Sequence, residues 1–387
     1  QPQMQMEVFE DWYAFSGNIH DRVSQNTSKA AFSVRGALEI LRMNIPPQKF
    51  VWGTLIAQEQ LQTVFGQGGI GKSRICLNIA LNQILQRPFL NITTGDCTMT
   101  HLFIGSENTV RRWKSDLSKM TAGLTESQLQ KLDKHLKLST VETPEDVFIT
   151  VSKDNLNRWQ NTVDGIKPDM LWVDPWGDCI DGDSIRDTDV RATISRLLGI
   201  ARRGNPSCGV ITIAHSRTGS NNIVQATGFD AANFGKDSKA LYSACRSVIN
   251  LAPYDESDQP DIVLVHAKNN NGPLSRGMVI HLNPTTMSYE FREWLDADAW
   301  RESVQKAGKT KGKGAANKPF DDAKVLEIAS TPKGKKELSD DVIKNLGVTY
   351  RSCEAGIERL LREGKLLQKG AGNRNSQLIG TPEAFQK

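Results

Sequence analysis

The chain has 387 residues, a length that favours one large core plus a smaller module over a single core. Its sequence is 38% hydrophobic and contains no apolar run near the roughly 20 residues that a membrane helix needs, so no membrane partner is expected. The net charge of +4 is too small to indicate a nucleic-acid partner by itself.

Two further features of the composition concern the compartment. The first dozen residues lack the basic and apolar regions of a signal peptide, so we expect a cytoplasmic protein. The six cysteines include no Cys-x-x-Cys pair, so neither a zinc site nor a disulfide framework is predicted. We therefore expect reduced thiols.

Residues 1–45 are polar with a helical repeat that stops at Pro46, and we predict a helical lead-in segment. From residue 46 to 302, β-rich runs alternate with helical patterns, which predicts an α/β domain with a mostly parallel central sheet. The late runs, with no helices between them, are expected to be antiparallel and to extend one edge. The predicted strands are 62–66, 100–107, 146–151, 169–174, 209–215, 247–252, 261–268 and 277–283, and the predicted helices are 72–86, 109–120, 154–164 and 188–203.

The composition changes near residue 303. Residues 303–318 are rich in Gly, Ala and Lys without an apolar repeat, so a flexible basic linker is predicted there. Residues 319–387 contain three short helical patterns followed by a hairpin with a Gly/Asn tip. That plan predicts a small α+β winged helix-turn-helix domain.

The run from Gly66 to Ser73, GQGGIGKS, satisfies the pattern G-x-x-x-x-G-K-[ST] between a predicted strand and a predicted helix. Glycines allow the backbone N–H groups to form a concave anion site, and the helix N-terminus adds its positive dipole. In this context the pattern predicts a P-loop that binds ATP, with Lys72 at the β- and γ-phosphates and Ser73 on Mg²⁺. The predicted nucleotide-binding residues are Gly66, Gly68, Gly69, Gly71, Lys72 and Ser73.

Three polar residues end other predicted central strands. Asp174 is a candidate Walker B carboxylate that holds magnesium together with Ser73, and a strand-ending cap is its alternative. Glu107 is a candidate base for the attacking water, although an acid is equally natural near the N-terminus of the next helix. His215 is placed to contact the γ-phosphate, and a buried structural histidine is its alternative.

The order of these motifs resembles RecA-like ATPases of the RepA type, a hexameric helicase group related to DnaB-like helicases. The resemblance covers roughly residues 46–290 and rests on the P-loop, FIGSEN, LWVDPWGDCIDGD and ITIAHSRTG. It implies that Lys72 and Ser73 are the P-loop pair, Glu107 the catalytic glutamate, Asp174 the Walker B aspartate and His215 the sensor. It also implies a homo-oligomer, with a hexameric ring as the expected form.

Such helicases complete each ATP site with basic residues from a neighbouring subunit, on a hairpin with a Lys-x-Arg-x-Gly-Pro pattern. Here Lys268 and Gly272-Pro273 keep the register, but Asn270 stands at the arginine position. The resemblance therefore implies that Lys268 acts in trans. A solvated hairpin lysine is the alternative, and Arg276, Arg246 or a lower hydrolysis rate are the open explanations of the missing arginine.

Basic residues in two segments are candidate nucleic-acid contacts. The run 216–239 is long and rich in Gly, Asn and Ser, and in RecA-like rings such loops hold single-stranded DNA through phosphates. The C-terminal segment would place positive charge where a winged helix meets duplex DNA, although many winged helices bind only protein. The candidates are Arg217, Lys236 and Lys239 in the first segment, and Arg351, Arg359, Lys369 and Arg374 in the second.

The leading hypothesis from the sequence is an ATP-hydrolysing ring motor on single-stranded DNA, as in the replicative helicase of a plasmid, phage or mobile element. The second is an ATP-dependent DNA-binding switch in recombination, defence or partition that does not unwind DNA. The third is a DNA-binding regulator that uses nucleotide to control its assembly. Strand-displacement assays and DNA stimulation of turnover separate them.

Overall fold

The computed structural model of the chain describes residues 34–217, 219–236, 239–255, 261–313, 320–348, 350–370 and 377–386. The chain forms two compact units that divide between Val304 and Gln305. The domain limits predicted at residues 45, 302 and 318 stay predictions, and most of the lead-in segment lies outside the described residues.

The larger unit is an α/β unit built on one large sheet. Its helices are α1 (Ala37–Arg42), α2 (Lys72–Ile84), α3 (Val110–Met120), α4 (Glu126–His135), α5 (Leu156–Ile166), α6 (Asp187–Gly204), α7 (Ser220–Ile223), α8 (Lys239–Ala244) and α9 (Ala297–Lys313), the last of which continues past the division. Its strands are β1 (Phe50–Trp52), β2 (Ile56–Ala57), β3 (Leu61–Gly66), β4 (His101–Gly105), β5 (Leu136–Leu138), β6 (Met170–Asp174), β7 (Gly209–His215), β8 (Ser247–Pro253), β9 (Ile262–Asn269), β10 (Met278–Asn283) and β11 (Ser288–Trp294).

The large sheet has nine strands in the order β11-β10-β9-β8-β3-β7-β6-β4-β5. The six strands from β8 to β5 run parallel, and β9, β10 and β11 add an antiparallel edge. The predicted α/β class with a mostly parallel central sheet is therefore confirmed. Because β3, β7, β6 and β4 are neighbouring parallel strands, their carboxyl ends lie side by side at the same end of the sheet.

Both faces of the sheet are buried, which explains why its central strands are apolar without alternation. On β6, Leu171 and Val173 belong to one core cluster, whereas Met170 and Trp172 belong to the other, and all four are 0% exposed. Packing on both faces holds β6 in place along its length, and therefore also holds Asp174 at its end.

A buried histidine connects the helix after the P-loop with two of these strands. Trp172 Nε1 on β6 donates to His101 Nδ1 on β4 at 3.0 Å, so the His101 proton lies on Nε2, which donates to Gln83 Oε1 of α2 at 2.9 Å. Burial, followed by the charge of His135, lowers the pKa of His101 to about 3. Trp172 also stacks on Phe103 with ring centroids 5.0 Å apart.

Two predictions of local structure were wrong. Residues 146–151 form no strand: Pro144–Val147 is a 3₁₀ turn whose Asp146 carboxylate accepts the N–H groups of Glu142 and Thr143, and β5 takes the sheet edge instead. Residues 303–313, predicted as flexible linker, continue helix α9. Ala, Gln and Lys favour helix strongly enough there to outweigh two glycines at about 1 kcal/mol each.

The smaller unit contains the predicted three helices and hairpin. Leu338, Val342, Ile357 and Leu360 are 0% exposed and form its core with other apolar residues. Its elements are α10 (Asp322–Ile328), α11 (Lys335–Leu346), α12 (Tyr350–Arg362), β12 (Lys333–Gly334), β13 (Leu367–Gly370) and β14 (Gln377–Gly380), with the sheet order β12-β14-β13. Its assignment as a winged helix stays a prediction.

Two expectations from composition concern the whole chain. No helix among the described residues has the length and hydropathy to cross a membrane. All six cysteines are free thiols.

Candidate nucleotide site

The loop between β3 and α2 has the conformation that its glycines allow. Gly69 and Gly71 have φ angles of 79° and 90°, which side chains rarely adopt. A Cβ atom on Gly71 would also lie 2.0 Å from the Tyr289 hydroxyl, which donates to the Gly71 carbonyl at 3.3 Å. Tyr289 of strand β11 therefore contacts the P-loop backbone. Both the positive φ angle and the close approach of Tyr289 favour glycine at position 71.

Lys72 begins helix α2 and is 7% exposed. Its Nζ donates to the Gln67 carbonyl at 3.0 Å and lies 3.5 Å from His215 Nδ1. Burial lowers the pKa of Lys72, and the charges of Asp174 and Glu107 oppose that shift. A cation held against the loop backbone beside two acids is placed to receive phosphate oxygens.

Asp174 ends β6 and is 5% exposed. Ser73 and Asn108 lie next to its carboxyl group, and within the described part of the chain its buried Oδ2 has no hydrogen-bond partner. Burial, with a smaller contribution from the charge of Glu107, raises the pKa of Asp174 to about 6, although Ser73, Lys72 and Asn108 oppose the shift. The strand-cap alternative does not account for the unpartnered oxygen.

That oxygen tests whether the site suits the Mg²⁺ that accompanies nucleotide in such folds. A buried carboxylate oxygen without a donor, beside a serine hydroxyl, is a hard oxygen ligand set of the kind Mg²⁺ takes with few protein ligands. Ser73 and Asp174 therefore fit magnesium bound together with phosphates.

One cleft, with a volume of about 420 Å³, brings most of the predicted catalytic residues together. Gly69, Gly71, Lys72, Ser73, Glu107, Asp174 and His215 line it. Gly66 ends β3 with almost no free space around it, and Gly68 lies outside this cleft.

Glu107 follows β4, is exposed and faces the cleft. It does not cap helix α3, because the Thr109 hydroxyl is the N-cap and accepts the Arg112 N–H. Glu107 is therefore left available to the cleft.

The same cleft contains a group of charged side chains that was not predicted from the sequence. Arg74 and Arg112 both lie 3.3 Å from the carboxylate of Asp116, which is 3% exposed. Asn108, which lines the cleft next to the Asp174 carboxyl group, was not predicted either. Two signals for them exist: Arg74 directly follows the P-loop serine, and Arg112 and Asp116 are spaced i, i+4 on the helix after Glu107.

The predicted single-stranded DNA contacts lie partly in a second cleft of about 460 Å³. Arg217 and Lys236 line it with Gly68, His215 and Ser216. Lys239 is exposed at the start of α8 and does not line this cleft. The long loop predicted at 216–239 contains α7 and 3₁₀ turns at Val224–Ala226 and Phe229–Asn233, so much of its backbone is helical.

Lys268, the predicted trans residue, is engaged within its own chain. Its Nζ donates to the Tyr242 and Ser243 carbonyls at 3.0 and 3.1 Å and lies 5.2 Å from the Tyr242 ring centroid. Lys268 therefore stabilises the C-terminal end of helix α8. The alternative of a solvated hairpin lysine did not include this contact. Of the open substitutes for the missing arginine, Arg276 lies over the Trp294 ring at 5.6 Å.

This contact predicts a structural effect of Lys268→Ala. Loss of two hydrogen bonds to the end of a helix should lower the free energy of unfolding by about 1 kcal/mol. Urea unfolding checks this, with Lys134→Ala, at an exposed position of helix α4, as the control. Equal unfolding free energies for the wild type and Lys268→Ala would contradict the role.

The candidate duplex-DNA residues of the smaller unit differ in their surroundings. Arg359 pairs with Asp322 and Glu363, and Lys369 lies 5.1 Å from the Phe385 ring centroid. Arg351 lies on α12, where its side chain is not described, and Arg374 lies outside the described residues.

Residues 33–221 match the family described as AAA domain. A KaiC-like protein from the hyperthermophilic archaeon Pyrococcus horikoshii is 12% identical, with a TM-score of 0.40, over 61% of this chain and 90% of that chain. No curated protein matches the chain.

Proposed function

Taking the chain as a RecA-like P-loop ATPase, we propose that it is a ring-forming motor that hydrolyses ATP and moves on single-stranded DNA, as a replicative helicase does. The observation that carries the ATPase part is the cleft in which Lys72, Glu107 and Asp174 meet at the carboxyl edge of the sheet. The cleft therefore contains residues suited to bind the phosphates, to neutralise their charge and to activate the attacking water.

In the proposed reaction, Glu107 orients a water molecule and accepts its proton while the water oxygen bonds to the γ-phosphorus. The bond between that phosphorus and the bridging oxygen breaks, so ADP and phosphate are the products. Lys72 neutralises charge on the phosphates. His215 Nδ1, which lies 3.5 Å from Lys72 Nζ, contacts the γ-phosphate.

Ser73 and Asp174 would hold magnesium, which would neutralise charge on the phosphates. Without it, Asp174 stays a buried carboxylate with an unpartnered oxygen. Its pKa near 6 means that a proton competes with the cation in mildly acidic solution.

The DNA part of the proposal is supported by charge and position. Arg217 and Lys236 are exposed on the segment that follows β7, next to the P-loop, and Lys239 is exposed three residues further on. A segment placed there would link the state of the nucleotide to contact with single-stranded DNA. Duplex contact through the smaller unit stays a separate prediction.

Self-association is proposed because of Lys268. In trans, its ammonium group would exchange the Tyr242 and Ser243 carbonyls for phosphate of a neighbouring subunit's ATP. Asn270 brings no charge to that interface, so Lys268 would be the main cation of the hairpin.

Mixing two inactive variants tests the ring motor. Lys72→Ala removes the chain's own phosphate contact but keeps Lys268, whereas Lys268→Ala keeps the site but lacks the trans residue. If Lys268 acts on a neighbour, mixing them should restore a quarter or so of the wild-type rate, and ATPase activity should rise with protein concentration and with single-stranded DNA. Lys72→Ala mixed with Lys134→Ala is the control.

A second candidate function is an ATP-dependent DNA-binding switch without unwinding. The engagement of Lys268 with its own chain favours this function, because a lysine bound to the end of helix α8 is not free to reach a neighbouring subunit's site. No complementation, together with no strand displacement, would support the switch. A nucleotide-controlled regulator, the third hypothesis, would show slow turnover that DNA does not stimulate.

A further inference from the structure

We propose that Arg217 and Lys236 bind the γ-phosphate of the chain's own ATP, and so make the second cleft a γ-phosphate site in cis. This inference rests on the proposed ATP site. It assigns to two residues first interpreted as DNA contacts a role in distinguishing ATP from ADP, and Lys239 is then the candidate DNA contact that remains on this segment.

The backbone holds Lys236 beside the sensor histidine. The Lys236 N–H donates to the His215 carbonyl at 3.0 Å, and Gly235 forms a β-bridge with Ser216. A Cβ atom on Gly235 would lie 2.6 Å from the Phe65 ring, so glycine is required for this close approach. The base of the Lys236 side chain is therefore fixed against β3 and β7.

Arg217 is anchored in the same way. Its N–H donates to the Phe234 carbonyl at 3.0 Å, and the N–H of Ser216 donates to the carbonyl of Gly66, the first P-loop residue, at 2.9 Å. Arg217 and Lys236 therefore both belong to backbone that is held, through Ser216, against the first residue of the P-loop.

The second cleft borders the P-loop. Gly68 lines it, and no atom lies within 4 Å of an ideal Cβ position on Gly68, so there is open space beside the loop. His215 lines both clefts, and its Nδ1 lies 3.5 Å from Lys72 Nζ. A phosphate between Lys72 and His215 would therefore face the second cleft.

The charges of the two clefts differ. In the first cleft three carboxylates accompany three cations, whereas the described lining of the second contains Arg217 and Lys236 and no carboxylate. That composition suits a phosphate oxyanion. It also places positive charge near the γ-phosphate within one chain, which is the charge that Asn270 does not supply from a neighbour.

A phosphate could come from ATP or from DNA, and the experiment separates the two. Lys236→Gln and Arg217→Gln are compared with wild type and with Lys134→Gln, for binding of a non-hydrolysable ATP analogue, of ADP, and of single-stranded DNA without nucleotide. We expect the Kd for the analogue to rise about tenfold in each variant, with the Kd for ADP and for DNA within twofold of wild type.

Weaker DNA binding with a smaller salt dependence, and an unchanged ratio of ADP to analogue affinity, would overturn the inference and return both residues to DNA contact. Equal loss of analogue and ADP affinity would also overturn it, because the γ-phosphate would then not be the group bound. Failure of wild type to bind either nucleotide would instead contradict the ATP site itself.

Discussion

Glu107→Gln should bind ATP with nearly the wild-type Kd and turn it over about 10²- to 10³-fold more slowly. Glutamine keeps the shape of the side chain but does not accept the proton of the attacking water, and general-base catalysis typically contributes that factor. Since Glu107 is exposed and does not cap α3, the change should leave the fold intact. Steady-state hydrolysis and equilibrium binding of a fluorescent ATP analogue measure the two effects.

Glu293→Gln is the matched control, because Glu293 is exposed on β11 and does not line the nucleotide cleft. The control should keep both the rate and the affinity. Normal hydrolysis by Glu107→Gln would mean that another group activates water, and the assignment of the base would be wrong.

Asp174→Asn should abolish magnesium-dependent hydrolysis and yet stabilise the metal-free protein. The folded pKa of Asp174 is about 6, above its ordinary value of 3.8, so the native state binds more protons than the unfolded state between these values. Its contribution to the free energy of unfolding therefore falls as pH rises through this window, by about 3 kcal/mol in total at 1.36 kcal/mol per pKa unit. Asparagine carries no such charge.

The measurement is urea unfolding in EDTA at pH 4.5 and pH 7.5 for wild type and Asp174→Asn. The variant should gain stability relative to wild type at the higher pH, and the difference between the two should be much smaller at the lower pH. A difference that does not change with pH would show that ionisation of Asp174 is not the cause.

Much of the larger unit could be predicted from the sequence, because its central strands are buried on both faces and its P-loop uses glycines that few other structures require. β6 illustrates this: an unbroken apolar run followed by Asp174 identifies both a strand and its end. Helix α4, by contrast, buries only Leu132 and therefore has little apolar periodicity. The strand expected at 146–151 failed because Pro144 and Asp146 favour a turn.

The site was predicted less completely, since side-chain partners depend on distances between segments far apart in sequence. Nothing near Lys268 in the sequence indicates that its ammonium group reaches Tyr242 and Ser243. The segment after β7 was interpreted as a long loop because Gly, Asn and Ser dominate it. The bridge between Ser216 and Gly235, which brings Lys236 to the P-loop, leaves no local sequence pattern.

The bridge formed by His101 has a consequence for the response to acid. With a folded pKa of about 3 against an ordinary 6.5, the ring stays neutral in the native state, so His101 stabilises the fold fully above pH 6.5 and progressively less as pH falls toward 3. Asp174 changes stability in the opposite direction over much of the same range. These two buried groups thus have opposing effects on acid tolerance, and exchanging either one should shift the pH at which the larger unit is most stable.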